Sequence, residues 1–135
     1  MVANSLQVAK SLYASFQRGD PESILHHFAD YAIVHGPAPA TILPWGGDHV
    51  GRAGISEFFR LLANGLAIEH FDLLDFIAEN ERIVVLGNIR GKARSSGKPF
   101  ETHFAHVIRI DANTGKIVEF RDFNDSATMA QAISS

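Results

Sequence analysis

Along the first half of the chain the apolar residues recur at helical spacing; along the second half they alternate. Val2, Leu6, Ala9, Tyr13 and Phe16 share one face of a helix over about residues 3–18. Gly19 follows Arg18 as a C-cap. Asp20-Pro21 then starts a second helix, with Asp as N-cap and Pro at the first position. This second helix turns Ile24, Leu25 and Phe28 inward. A strand follows at Tyr31–His35 and stops at Gly36-Pro37-Ala38-Pro39. Residues 36–51 hold three prolines and four glycines and read as a loop or flap. Gly51 to Gly54 opens a third helix whose apolar stripe is Ile55, Phe58, Phe59, Leu62 and Leu66.

From Ala67 onward the period falls to two. Strands are predicted at 67–79, 82–94, 99–110 and 116–124, separated by polar, Gly- and Asn-containing turns. The tail Ser126–Ile133 adds a helical turn. No repeat, low-complexity tract or linker interrupts the pattern, so residues 1–135 read as one domain. Two helices, a strand, a helix and four hairpin-linked strands imply the α+β class, a curved antiparallel sheet with helices on one face.

The last hairpin carries the chemistry. Alternation sends Phe104, His106 and Ile108 to one face of its first strand and His103, Val107 and Arg109 to the other. In its second strand Phe120, Asp122 and Asn124 group against Arg121, Phe123 and Asp125. A face carrying His106, Phe120, Asp122 and Asn124 either satisfies its polar groups internally or lines a cavity, because burying unpaired polar groups is costly.

Composition narrows the classes. The hydrophobic share is 46%, the charged share 20% and the net charge −3, with Lys and Arg scattered, so no nucleic-acid or anionic-membrane partner is expected. No apolar run approaches the roughly 20 residues that span a bilayer. The N-terminus lacks the basic segment and apolar block of a secretory signal. Cysteine is absent, which excludes disulfides, thiolate catalysis and cysteine-ligated zinc and agrees with a cytoplasmic location. His103 and His106 leave opposite faces of a strand, and His26 and His27 diverge by about 100° on a helix, so neither pair shares an ion. His49 falls in the flap and His70 on an outer strand. No metal or cofactor is expected.

Several segments together resemble a known family. They are Phe16-Gln-Arg-Gly-Asp-Pro-Glu22, Phe28-Ala-Asp-Tyr-Ala32, Pro44-Trp-Gly-Gly47 leading into Gly51-Arg-Ala-Gly-Ile-Ser-Glu-Phe-Phe59, and Gly115 to Asp125. With the order of elements they resemble the cone of the nuclear transport factor 2-like proteins, and within it the SnoaL-like and ketosteroid-isomerase-like proteins. The resemblance implies a cone-shaped, strongly curved mixed or antiparallel sheet packed against three helices from the N-terminal half, enclosing a pocket. It also implies a homodimer through the outer sheet face. His106 falls where ketosteroid isomerases keep an oxyanion-hole aspartate. Their general-base aspartate matches Gly36, and their helix-one tyrosine matches Leu12, with Tyr13 one place off. Asp122 matches the last-strand aspartate of limonene-epoxide hydrolases, whose second carboxylate is missing here because Gly91-Lys92 follows Arg90. In SnoaL-like cyclases a histidine and an aspartate on the last strands transfer protons, an arrangement that His106 fits with Asp122 or, second, Asp125.

His106 and Asp122 are therefore the candidate catalytic pair, close enough across adjacent strands for an imidazole–carboxylate contact. Tyr13, Phe16, His35, Trp45, Phe59, Phe104, Phe120 and Asn124 are the candidate pocket lining, with Trp45 as a lid and His35 free to face either way. The expected function is acid–base chemistry on a small apolar metabolite: isomerisation, cyclisation, dehydration or hydration. His106 would be the acid or base and Asp122 its orienter or a water activator. The alternative is a non-catalytic, ligand-binding or structural homodimer, with Asp122 tied to an arginine such as Arg90 or the cavity plugged by Phe side chains.

Overall fold

The first helix forms where the apolar period predicts it. A computed structural model describes residues 4–134, and in it α1 runs Ser5–Arg18 with Asn4 Oδ1 accepting from the Gln7 amide at 3.1 Å. Ala9, Leu12 and Tyr13 are buried on its inner face; Val2 lies outside the described residues. Gly19 ends the helix at φ 65°, and its N–H returns to the Phe16 carbonyl. Asp20 caps α2 (Pro21–His26) by accepting from the Ser23 amide. This helix stops two residues short of the expectation, and Phe28 instead opens β1 (Phe28–His35) as a buried strand residue.

The Gly/Pro-rich segment is not loop throughout. It ends in a short strand, β2 (Asp48–Val50), paired antiparallel with β1. Next comes α3 (Gly51–Gly65), with Ile55 and Phe58 buried; Leu66, expected in its stripe, begins β3 (Leu66–Glu79). β4 (Arg82–Ala93), β5 (Pro99–Ile110) and β6 (Ile117–Asn124) match the alternating runs to within a residue. The tail forms α4 (Ser126–Ile133), capped by Asp125, with Met129 and Ala132 buried.

These six strands make one sheet in the order β2-β1-β6-β5-β4-β3. β1 runs parallel to β6 and every other pair is antiparallel, so the sheet is mixed. Register shifts in β3 at Ile68/His70 and Leu73/Asp75 bend the long hairpin. The result is a curved open sheet with helices against one face, an α+β cone. No helix among the described residues is long and apolar enough to cross a membrane.

Two local features of this frame lead to measurements. Gly87 on β4 lies opposite Phe104 on β5. A Cβ at Gly87 would overlap the Phe104 ring and lie 2.5 Å from the Asp72 carbonyl oxygen. Gly87→Ala is therefore expected to cost about 1–3 kcal/mol of stability in urea unfolding. Phe104, pushed off its seat, would also shift the His106 ring stacked on it at 4.3 Å.

At the α1–α2 corner, Ser15 Oγ lies 2.6 Å from Ser23 Oγ and 3.1 Å from His27 Nε2, and the Arg18 guanidinium donates to both serines. Burial, and then His26, Lys116 and Arg18, hold the His27 pKa below its ordinary 6.5. The unfolded chain thus binds this proton at higher pH than the folded one. The stability linked to His27 is complete above 6.5 and declines as pH falls towards the folded value. Urea midpoints for wild type and His27→Gln at pH 7.5 and 5.5 should show a smaller acid loss in the variant.

Candidate functional site

Strand register places the candidate pair directly opposite one another. His106 pairs with Asp122, and Phe104 with Asn124, across β5 and β6. All four side chains face the helices and line a cavity of about 50 Å³. Tyr13 from α1, Trp45 from the loop before β2, Phe58 and Phe59 from α3 and Met129 from α4 also line it.

The His106 ring is held on every side. It stacks 4.3 Å from Phe104, tilts 4.7 Å from Phe120 and lies parallel to Tyr13 at 5.8 Å between centroids. Tyr13 Oη is 2.7 Å from Nδ1. Burial, and then the Asp122 charge, hold the Tyr13 phenol well above its ordinary 10, so the hydroxyl keeps its proton and donates it to Nδ1. The remaining proton of neutral His106 is then on Nε2, the nitrogen that faces Asp122.

Asp122 Oδ1 is 3.2 Å from Nε2, within ion-pair range. It nevertheless accepts no hydrogen bond, because the N–H direction misses it. The side chain is 10% exposed, and no arginine reaches it: Arg90 is exposed on the outer face, paired in register with His70 and Glu101. Asn124 Oδ1 is likewise buried without a partner among the described residues. Each such group costs about 1–3 kcal/mol. A protein retains two of them side by side in an apolar wall where they serve a ligand or a reaction.

The other candidates divide cleanly. Tyr13, Phe16, Trp45, Phe59, Phe104, Phe120 and Asn124 all line the cavity. His35 does not, which corrects its place in the expected lining. Strand alternation buries Val34 inward and turns His35 to the outer face, with Nδ1 2.7 Å from Asp48 and Nε2 3.0 Å from Glu119. Burial raises the Glu119 pKa, but this His35 contact and then Arg121 outweigh it and leave the carboxyl below its ordinary value. Asp125, second choice as partner to His106, is an N-cap: it accepts from the Thr128 amide and hydroxyl, which hold its carboxyl low.

Trp45 forms part of the buried cavity wall. It is 1% exposed, and its loop is stitched by Gly36 N–H to Gly47 O and Gly47 N–H to Ala38 O, both at 2.8 Å. His49 Nε2–H reaches the Trp45 and Gly46 carbonyls at 3.1 and 3.0 Å.

A cleft of about 750 Å³ opens beside α1 and α3 and shares Phe16, Phe59, Leu62, Leu66 and Phe71 with the inner cavity. Three phenylalanines therefore stand between the two spaces. Phe71 escaped the sequence reading; its only signal was its inward place in the alternation of β3, which the bulge at Ile68/His70 blurs. Among the described residues no three His, Asp or Glu side chains are grouped to hold a metal ion.

A family model described as SnoaL-like domain matches residues 9–120. Among solved structures, an NTF2-like protein of unknown function from Burkholderia pseudomallei is 29% identical over 98% of this chain and 99% of its own, with a TM-score of 0.89. An NTF2-like protein from Burkholderia thailandensis is 28% identical over 98% and 99%, with a TM-score of 0.87. TerC, co-crystallised with polyporic acid, is 25% identical over 97% and 98%, with a TM-score of 0.84. No curated protein matches the chain. Fold and sequence agree: the chain belongs to the SnoaL-like domain family, within the nuclear transport factor 2-like (NTF2-like) superfamily.

Proposed function

We propose that the chain is an acid–base enzyme acting on a small apolar carbonyl compound, with Asp122 as the proton-accepting base and His106 as the electrophile beside it. One observation carries this reading: a nearly buried carboxylate that no arginine neutralises, 3.2 Å from an imidazole N–H not spent on it. Asp122 takes a proton from the carbon next to the ligand carbonyl. The electron pair moves onto the carbonyl oxygen, which accepts a hydrogen bond from His106 Nε2–H as it becomes an enolate. Tyr13 O–H, bonded to Nδ1, is the positioning group that fixes this tautomer. In an enone, return of the proton from Asp122 to the far carbon of the conjugated enolate completes an isomerisation; attack of the enolate carbon on a second carbonyl, with the Asp122 proton passing to the new alkoxide oxygen, completes a cyclisation.

Phe16, Phe59 and Phe71 stand between the inner cavity and the outer cleft, which favours ligands with an apolar body and limits water at the enolate. The co-crystallisation of TerC with polyporic acid supports a small-molecule occupant. Turnover of a panel of apolar ketones and enones by wild type, Asp122→Ala and His106→Ala tests the reading. Loss of turnover in both variants is expected; unchanged turnover in either one would sink its assignment.

The outer sheet face we assign to a second copy of the chain. Ile77, Val84 and Val107 form one cross-strand row and Leu86, Ala105 and Phe123 another. Ile77, Leu86 and Phe123 are exposed in the single chain. Sedimentation equilibrium should give a dimer for wild type and a monomer for Phe123→Glu.

A further inference from the structure

The proton-transfer reading employs Asp122, His106 and Tyr13 and leaves Asn124 without a task. Asn124 sits on the same face of β6 as Asp122, two residues and about 7 Å further along the strand. Its Oδ1 is buried in the cavity wall and accepts no hydrogen bond from any described residue. Phe104, its partner in register on β5, has no side-chain N–H or O–H to give. A leucine would fill the same space without a stranded acceptor, so the amide is explained by a donor that arrives with the ligand. Asp122 Oδ1 repeats the pattern: two buried acceptors on this wall take no hydrogen bond from the described residues.

We propose that Asn124 is a specificity residue that receives a ligand hydroxyl. The ligand class is then an apolar, ring-sized molecule carrying a hydroxyl that reaches Asn124, about one ring-width from Asp122 along the cavity wall. Only the hydroxyl-bearing edge enters the inner cavity of about 50 Å³, while the apolar body lies across Phe16, Phe59 and Phe71 in the cleft of about 750 Å³. The proposal rests on this cavity being the ligand site, and it stands whether or not Asp122 is the base.

Three probes that differ only in the polar group test it: 2-naphthol, which donates; 2-methoxynaphthalene, which only accepts; and naphthalene. Trp45 is the single tryptophan of the chain and lines the cavity, so its indole N–H resonance follows binding by NMR. Wild type should bind 2-naphthol at least about 10-fold more tightly than either other probe, the discrimination expected of one buried hydrogen bond. In Asn124→Leu the ratio should fall to about 2-fold or less, with naphthalene binding unchanged. Equal affinity of wild type for 2-naphthol and 2-methoxynaphthalene would overturn the hydroxyl requirement while leaving the ligand site standing. A preference that persists in Asn124→Leu would overturn the role of Asn124. Failure of all three to bind would overturn both this proposal and the ligand site beneath it. The first comparison needs no variant, so a folding defect in Asn124→Leu does not decide the outcome.

Discussion

Asp122→Asn is expected to lower turnover by about 10²–10⁴-fold while leaving the protein as stable as wild type, or more so. The two effects have one cause. Asp122 is nearly buried, lacks an arginine, and its Oδ1 accepts no hydrogen bond, so the folded state bears part of its desolvation without compensation. An amide of the same shape removes the charge and with it most of that cost, about 1–3 kcal/mol, or a rise in melting temperature of a few degrees. It also removes the only unpaired carboxylate in the cavity, and with it the base. A carboxylate kept for structure behaves in the opposite way, because its removal strands a partner. Parallel thermal melts and turnover assays on the one variant separate the two cases. A lower melting temperature with full activity would make Asp122 a structural residue.

Trp45→Ala carries the largest expected loss of stability, about 3–5 kcal/mol. Trp45 heads the fully buried side chains by volume. Its ring lies over Gly65 at the end of α3, where an added Cβ would come within 2.8 Å of Cζ3. The His49 bonds to the Trp45 and Gly46 carbonyls fix the backbone, so the loop has little freedom to collapse into the space left behind. Against a typical total of about 5–15 kcal/mol, this loss takes a large share of the stability. Urea unfolding of Trp45→Ala measures it. A loss under about 1 kcal/mol would mean that the indole spends much of its time out of the core, as a lid would.

The sheet was the most legible part of the molecule. Four alternating runs with polar turns locate β3 to β6 to within a residue, and parity groups His106, Asp122, Phe104, Phe120 and Asn124 on one face, which is the inner one. Parity failed at His35 for a physical reason. In β1 both faces carry apolar residues, Ala32 and Val34 on one and Tyr31 and Ile33 on the other, so alternation names no inside. What decides is the pairing with Asp48 and Glu119, carried by two strands distant in sequence. The strand β2 was hidden because three residues are too few to show a period.

Rotation of a helix about its axis is equally hard to read. Leu12 and Tyr13 are both buried on α1, and only the packed structure aims the phenol at an imidazole 93 residues away. Asp125 shows the converse: its residue type fitted the site, but its position at a helix start made it a cap.

The most direct test follows proton transfer itself, whatever the final product. With apolar ketones in D₂O, wild-type protein should exchange the hydrogen beside the carbonyl for deuterium, seen by NMR, and Asp122→Asn should slow that exchange by about 10²-fold or more. Exchange at the same rate with both proteins would contradict the assignment of Asp122 as the base.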